Sequence, residues 1–305
     1  MHDTNTLMLN AWRAGTVIPA FNIPYLPMMQ PIIDALRDTE CFGLIAVARP
    51  EWEKFEAQSF QAVAELYQRL KDDRYTRLHL DHVPVIDEDW QPVDFLDILT
   101  QAMDVGYESV MVDGSRLPLA ENIAATKKVV ELAHARGIPV EAELGAVYGH
   151  ESGPLPPYDE LFASGRGFTE PAEAKQFVLE TDVDWLSVAV GSIHGAILEA
   201  ARHQKKVQAK LQIERIAEIK QHVQRPLVLH GGSGIQKAYL LAGFKAGIAK
   251  INIGATVRQA YEQGRQESAT KGLDNVYQTT VALIREELEI AGSAATIHPM
   301  GSGKV

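Results

Sequence analysis

The chain has a single cysteine, Cys41, among its 305 residues. That excludes an internal disulfide and any zinc site built on cysteine pairs, and it suits a reducing cytoplasm. No apolar run approaches the roughly 20 residues that span a bilayer. The opening MHDTNT has no basic stretch ahead of an apolar core, so no secretory signal is expected. Basic residues are scarce: 29 against 40 acidic ones, a formal net charge of −11. Nucleic acid and anionic lipid are therefore not expected as partners. An anionic small substrate would need its own pocket of backbone N–H groups, metal or arginine. Low-complexity tracts and linkers are missing too.

What is present is a large globular core, since hydrophobic residues make up 46% of the chain. Apolar, β-branched runs alternate with amphipathic stretches. Strands are predicted at Val17–Ile23, Gly43–Ala48, Arg77–Leu80, Ser109–Val112, Ile138–Ala142, Trp185–Ala189, Leu227–Leu229 and Lys250–Ile253. Helices are predicted between them, including Pro92–Val105, Leu119–Arg136, Pro171–Glu180, Gln212–Gln221 and Ile235–Ala246. Pro92 and Pro171 suit a first helical turn; Gly106 and Gly137 suit helix ends. This alternation reads as one α/β domain over 1–305, a (β/α)8 TIM barrel, with further helices after about 256. An open doubly wound sheet is the runner-up. From Gly145 to Gly167 the chain is rich in Gly and Pro without apolar period. A connection this long leaving a strand end is read as a lid over the mouth; a plain surface loop is the alternative.

Three histidines stand where predicted strands end: His82 in RLHLDH, His194 in LSVAVGSIHG and His230 in PLVLHGGSG. A parallel barrel gathers such ends at one mouth. Three imidazoles with one open position can hold a catalytic divalent metal. Asp81, beside His82, can act as acid or base. Strand alternation would turn Asp81 and His82 to opposite faces, so both reach one pocket only if the strand ends there, which Pro84 favours. Asp113 and Glu143 close strands four and five as rim carboxylates, to be weighed against plain rim ion pairs. His230–Gly234 offers an anion cradle of N–H groups with the Ser233 hydroxyl. The other histidines, His79 among them, lack such contexts, and most are read as helix surfaces or termini; His150, beside Glu151 in the loop, is the exception.

Together the runs AFNI, HLDH, SVMVDGS, VEAELG, FTEP, GSIHG, LHGGSG and KINIG, in this order from about Ala20 to Arg258, resemble the class II, metal-dependent ketose-bisphosphate aldolases of the tagatose- and fructose-bisphosphate type. The resemblance implies a TIM barrel forming a homodimer or homotetramer. It implies reversible cleavage of a ketose 1-phosphate or 1,6-bisphosphate to dihydroxyacetone phosphate and an aldehyde, with no lysine Schiff base. It assigns His82, His194 and His230 to Zn2+ or another divalent metal, with Glu143 and Asp113 near alternative metal positions. Asp81 maps to the acid/base at the C4 hydroxyl, and Glu151 to the lid glutamate that moves the C3 proton. Asn22, Gly195, Gly231, Gly232, Ser233, Asn252, Ala255 and Thr256 map to the substrate and its phosphate, with Na+ or K+ nearby.

The chain departs from that pattern in places. Gly254, Ala255 and Thr256 stand where fructose-bisphosphate members carry Asp then Thr. The run ARPEWEKF replaces a serine and glycines after strand two. Arg49 there could take a carboxylate, phosphate or sulfonate, or pair with Glu51 or Glu53. Tyr25 replaces a polar residue, and Arg258 aligns with a base that reaches a distal phosphate in some members. An altered aldehyde is expected. A non-catalytic partner subunit, or a metal-dependent barrel enzyme of other chemistry, are the competing classes.

Overall fold

A computed structural model describes residues 2–145, 157–192 and 209–299. Eight parallel strands close into a barrel in chain order: β1 (Ile18–Asn22), β2 (Gly43–Ala48), β3 (Thr76–Pro84), β4 (Ser109–Asp113), β5 (Val140–Leu144), β6 (Trp185–Val188), β7 (Leu227–Leu229) and β8 (Ile248–Ile253). Helices on the outside are α1 (Thr4–Ala14), α2 (Met29–Asp38), α3 (Arg49–Lys54), α4 (Phe60–Leu70), α5 (Phe95–Asp104), α6 (Leu119–His134), α7 (Tyr158–Ser164), α8 (Pro171–Thr181), α9 (Ile213–Val223), α10 (Lys237–Ala246), α11 (Ala255–Arg265) and α12 (Ala269–Ala282). The fold is the expected TIM barrel, not the open sheet.

Alternation along the strands sorts the residues. Phe21, Ile45, Val47, Leu78, Leu80, Val110, Val112, Val140, Ala142, Leu186 and Val188 face outward and join one buried apolar layer with the helices. Ile18, Ala20, Leu44, Ala46, Trp185 and Val228 join α1 residues Leu7, Met8 and Ala11 in a second cluster, which closes the lower end of the barrel. Above it the interior turns polar.

Local signals set several ends. Asp3 and Ser59 cap α1 and α4, accepting from the backbone N–H of Thr6 and Ala62 at 2.8 and 3.0 Å. Pro92 does not open α5. Asp94 does so, accepting from Asp97 N–H at 3.2 Å, while Pro92 bridges to Ile86 in an antiparallel pair. A side-chain cap outcompetes proline's preference for the first turn. Pro171 does start α8. Within the long Gly- and Pro-rich connection, residues 157–167 include α7; Gly145 is described, and 146–156 lie outside the described residues.

Candidate active site

The carboxyl ends of β1, β3, β5, β7 and β8 bring together Asn22, Asp81, His82, Glu143, His230 and Asn252. β3 does not end before Asp81. It runs on to Pro84, with a register shift against β4 between Leu80 and Val83. His82 sits in that bulge at φ +42°. The extra residue breaks the alternation, so Asp81 and His82 serve one pocket within a continuous strand.

His82 and His230 stack edge to face with ring centroids 4.3 Å apart. Asp81, His82 and His230 offer one donor atom each, all within 4.8 Å of one another. His82, Asp113 and Glu143 form a second such group. His194, Gly195, His150 and Glu151 lie outside the described residues.

His230 is fully buried, and its Nε2–H donates to Glu141 Oε1 at 2.8 Å. Burial and the His82 charge oppose an imidazolium here, but Glu141 and Glu143 outweigh them and raise His230 above its ordinary value; in the neutral ring, protonated on Nε2, the lone pair is on Nδ1. That atom is buried without a hydrogen bond, 3.2 Å from Glu143 Oε2. Ser187 Oγ donates to the same Glu143 oxygen at 3.2 Å. An open imidazole nitrogen facing His82 suits a cation.

Asp81 is buried and accepts from Asn252 Nδ2 at 2.8 and 2.9 Å and from Asn22 Nδ2 at 3.1 Å. Burial opposes its charge, but His82, His79, Lys250 and His230 outweigh it and hold the carboxyl well below its ordinary range. For His82, burial is likewise outweighed, by Asp81, Asp113 and Glu143, and the imidazolium is pushed up to about 10. Asp113 lies 3.5 Å from His82 Nδ1 and is held low despite burial, first by that histidine.

Beneath these residues lies a group whose members stand in the motifs but carry no predicted role. His79 is on β3 inside the barrel, not on a helix surface. Lys250 Nζ donates to Glu141 Oε2 at 2.6 Å and to His79 Nε2 at 3.2 Å. Ammonium only donates, so His79 carries its proton on Nδ1, toward Ser109 Oγ at 2.9 Å. All four side chains are fully buried. Period-two polar pairs, His79 with Asp81, Glu141 with Glu143 and Lys250 with Asn252, signal this inward face. They lie within HLDH, VEAELG and KINIG.

On the β7–β8 side, Ser233 Oγ and Thr256 Oγ1 stand 3.1 Å apart. Gly231 has φ +65°, and a Cβ on Gly232 would meet Ile251 Cδ1 at 2.7 Å, so the run needs both glycines. Thr256 follows Ala255 in the first turn of α11. Arg49 pairs with Glu53 at 2.6 Å and Asp87 at 3.3 Å. Tyr25 donates to Glu262 at 2.8 Å, and Arg258 reaches the same carboxylate at 2.9 Å. Tyr25 and Arg258 are thereby tied to α11. Gly254 has ordinary room for a Cβ, 3.6 Å from Asn22 Cβ.

A closed parallel barrel with imidazoles and carboxylates converging at its carboxyl mouth defines a barrel enzyme with a metal-competent centre. The family profile described as fructose-bisphosphate aldolase class-II matches residues 2–296. The chain belongs to that family of metal-dependent carbon–carbon lyases. Among solved structures it is similar to the YdjI aldolase of Escherichia coli K12, at 25% identity and TM-score 0.73, over 96% of this chain and 99% of that one. A candidate fructose-1,6-biphosphate aldolase from Coccidioides immitis matches at 24% and TM-score 0.75, over 95% and 97%. A fructose-bisphosphate aldolase from Campylobacter jejuni matches at 17% and TM-score 0.70, over 94% of each chain. The latter two speak to fold alone.

Proposed function

We propose that the chain reversibly cleaves a ketose 1-phosphate or ketose 1,6-bisphosphate to dihydroxyacetone phosphate and an aldehyde, with Zn2+ as the divalent cation. The observation that carries this is the convergence of Asp81, His82 and His230 donor atoms within 4.8 Å of one another, with Glu143 beside the buried His230 Nδ1. His82 and His230 would hold the cation together with His194, and Glu143 or Asp113 would offer an alternative position. When bound, the cation supplies positive charge against the negative charge that develops as the C3–C4 bond breaks.

Asp81, ionised and oriented by two asparagines, accepts the C4 hydroxyl proton. Glu151, on a lid formed by the loop at about 145–167, returns a proton to C3. Asn22, Gly195, Gly231, Gly232, Ser233, Asn252, Ala255 and Thr256 hold the dihydroxyacetone phosphate end, with Na+ or K+ near the phosphate. The buried Asn252 Oδ1 has no hydrogen-bond partner, which supports its use as an acceptor for a substrate hydroxyl. We read the enzyme as a cytoplasmic homodimer or homotetramer. Among the described residues no helix is long and apolar enough to cross a membrane.

Metal analysis, ketose-phosphate cleavage and hydrogen exchange at C3 of dihydroxyacetone phosphate test the reading together. His82→Ala should lose metal and activity. Glu151→Gln should keep metal and slow exchange by ~10²–10⁴-fold. A wild-type chain with metal but neither exchange nor cleavage would be a partner subunit or an enzyme of other chemistry.

A further inference from the structure

One half-buried carboxyl at the mouth is unused by the cleavage chemistry. Glu51 lies in the first turn of α3, just past β2. Its Oε2 accepts from Ala48 N–H at 2.6 Å and from Asn22 Nδ2 at 3.3 Å. The same Asn22 amide donates to Asp81 at 3.1 Å, so catalytic and extra carboxyl share one donor. Among the described residues Glu51 Oε1 has no hydrogen-bond partner. Burial lifts this carboxyl to about 8. In its protonated form Oε1 can donate as well as accept. Closing the first turn of α3 and bonding Asn22 both use Oε2.

Strand order gives the direction. β7, β8, β1, β2 and β3 are neighbours around the barrel. The Ser233–Thr256 hydroxyls lie past β7 and β8, Asn252 and Asn22 flank Asp81, and Glu51 follows β2. Glu51, past β2, stands between Asn22 on β1 and Asp81 on β3, and this group lies across the mouth from the phosphate cradle past β7 and β8. With Asp81 at the C4 hydroxyl, the aldehyde half of the sugar extends toward Glu51. Three arginines on this side are each held by carboxylates: Arg49 by Glu53 and Asp87, Arg258 by Glu262, and Arg265 by Glu56. A second phosphate that reached any of these three would have to displace its carboxylate.

We propose that Glu51 selects the aldehyde half by hydrogen-bonding one of its hydroxyls, and that this half is an uncharged polyhydroxy aldehyde, making the substrate class a ketose 1-phosphate and not a bisphosphate. The inference rests on the proposed aldolase reading.

The test runs the condensation of dihydroxyacetone phosphate with glyceraldehyde, propionaldehyde and glyceraldehyde 3-phosphate, using wild type, Glu51→Gln and Glu51→Met. Ratios are taken within each variant, so a general loss of activity cancels. Wild type should favour glyceraldehyde over both others by about 10-fold or more in kcat/KM. Glu51→Met should lose the preference over propionaldehyde, chiefly through the aldehyde KM. Glu51→Gln keeps an acceptor and a donor, and should retain that preference. Should Glu51→Met not fold, Glu51→Asp, one methylene shorter, carries the same comparison. Preference of wild type for glyceraldehyde 3-phosphate would overturn the inference, as would unchanged ratios in Glu51→Met. Wild type that exchanges no hydrogen at C3 of dihydroxyacetone phosphate would instead remove the aldolase reading itself.

Discussion

Asp81 and Glu51 share the Asn22 amide, yet their carboxyls are shifted in opposite directions. Around Asp81 stand three imidazoles, Lys250 and a doubly donating Asn252, which outweigh desolvation. Glu51 has one backbone N–H and part of one amide, and the Asp81 charge adds to its desolvation. Neighbours, not residue type, assign the roles. Cys41 shows burial acting almost alone: the thiol rises from 9.0 to about 12. The unfolded chain then ionises first, so stability is fully present below pH 9.0 and is lost as pH climbs toward about 12. Denaturant titrations of wild type and Cys41→Ala should diverge above pH 9.0, wild type losing up to ~1.4 kcal/mol more per pH unit. Parallel curves would show that the thiol is not sealed off.

At the scale of elements, β3, β5 and β8 act as one unit through Lys250, Glu141 and His79. Lys250→Met would strand the buried Glu141 carboxylate, destabilising the fold by about 3–5 kcal/mol. Lys250→Met combined with Glu141→Gln should recover most of that stability, because no uncompensated charge remains. The glutamine grips His230 more weakly, so affinity for the divalent cation should still fall ~10–100-fold. Urea unfolding and competition titration with a metal indicator measure the two separately. Full recovery of both would mean that Glu141 does not orient His230. The bulge in β3 belongs to this scale too. From the alternation rule, Asp81 and His82 could share a pocket only past a strand end. The observed route, a continuous strand with His82 at φ +42°, depends on pairing with β4 that no local pattern announces.

For the whole molecule, closure of the barrel packs negative charge at one mouth: Asp81, Asp113, Glu141 and Glu143 around His82 and His230. A cation bound there stabilises the folded state by mass action. At 100 times its Kd it should add about 2.7 kcal/mol. Chelation should therefore lower the Tm of wild type, and restored Zn2+ should raise it in a concentration-dependent way. His82→Ala should melt at the same temperature with or without chelator. An unresponsive wild-type Tm would argue against a structural grip on metal at this centre.

The chain's own order determined the eight strands, two of them to the residue, because the apolar runs Gly43–Ala48 and Leu227–Leu229 are bounded by sharp turn signals. It also marked Asp81, His82 and His230, since strand-end polar residues stand out against apolar runs. Tertiary structure alone decided that His79, Glu141 and Lys250 share a buried interior, that Arg49 is held by Asp87 as well as Glu53, and that Glu51 turns toward Asp81. These partners lie on different strands and loops, and their burial and protonation depend on distances that exist only once the barrel has closed.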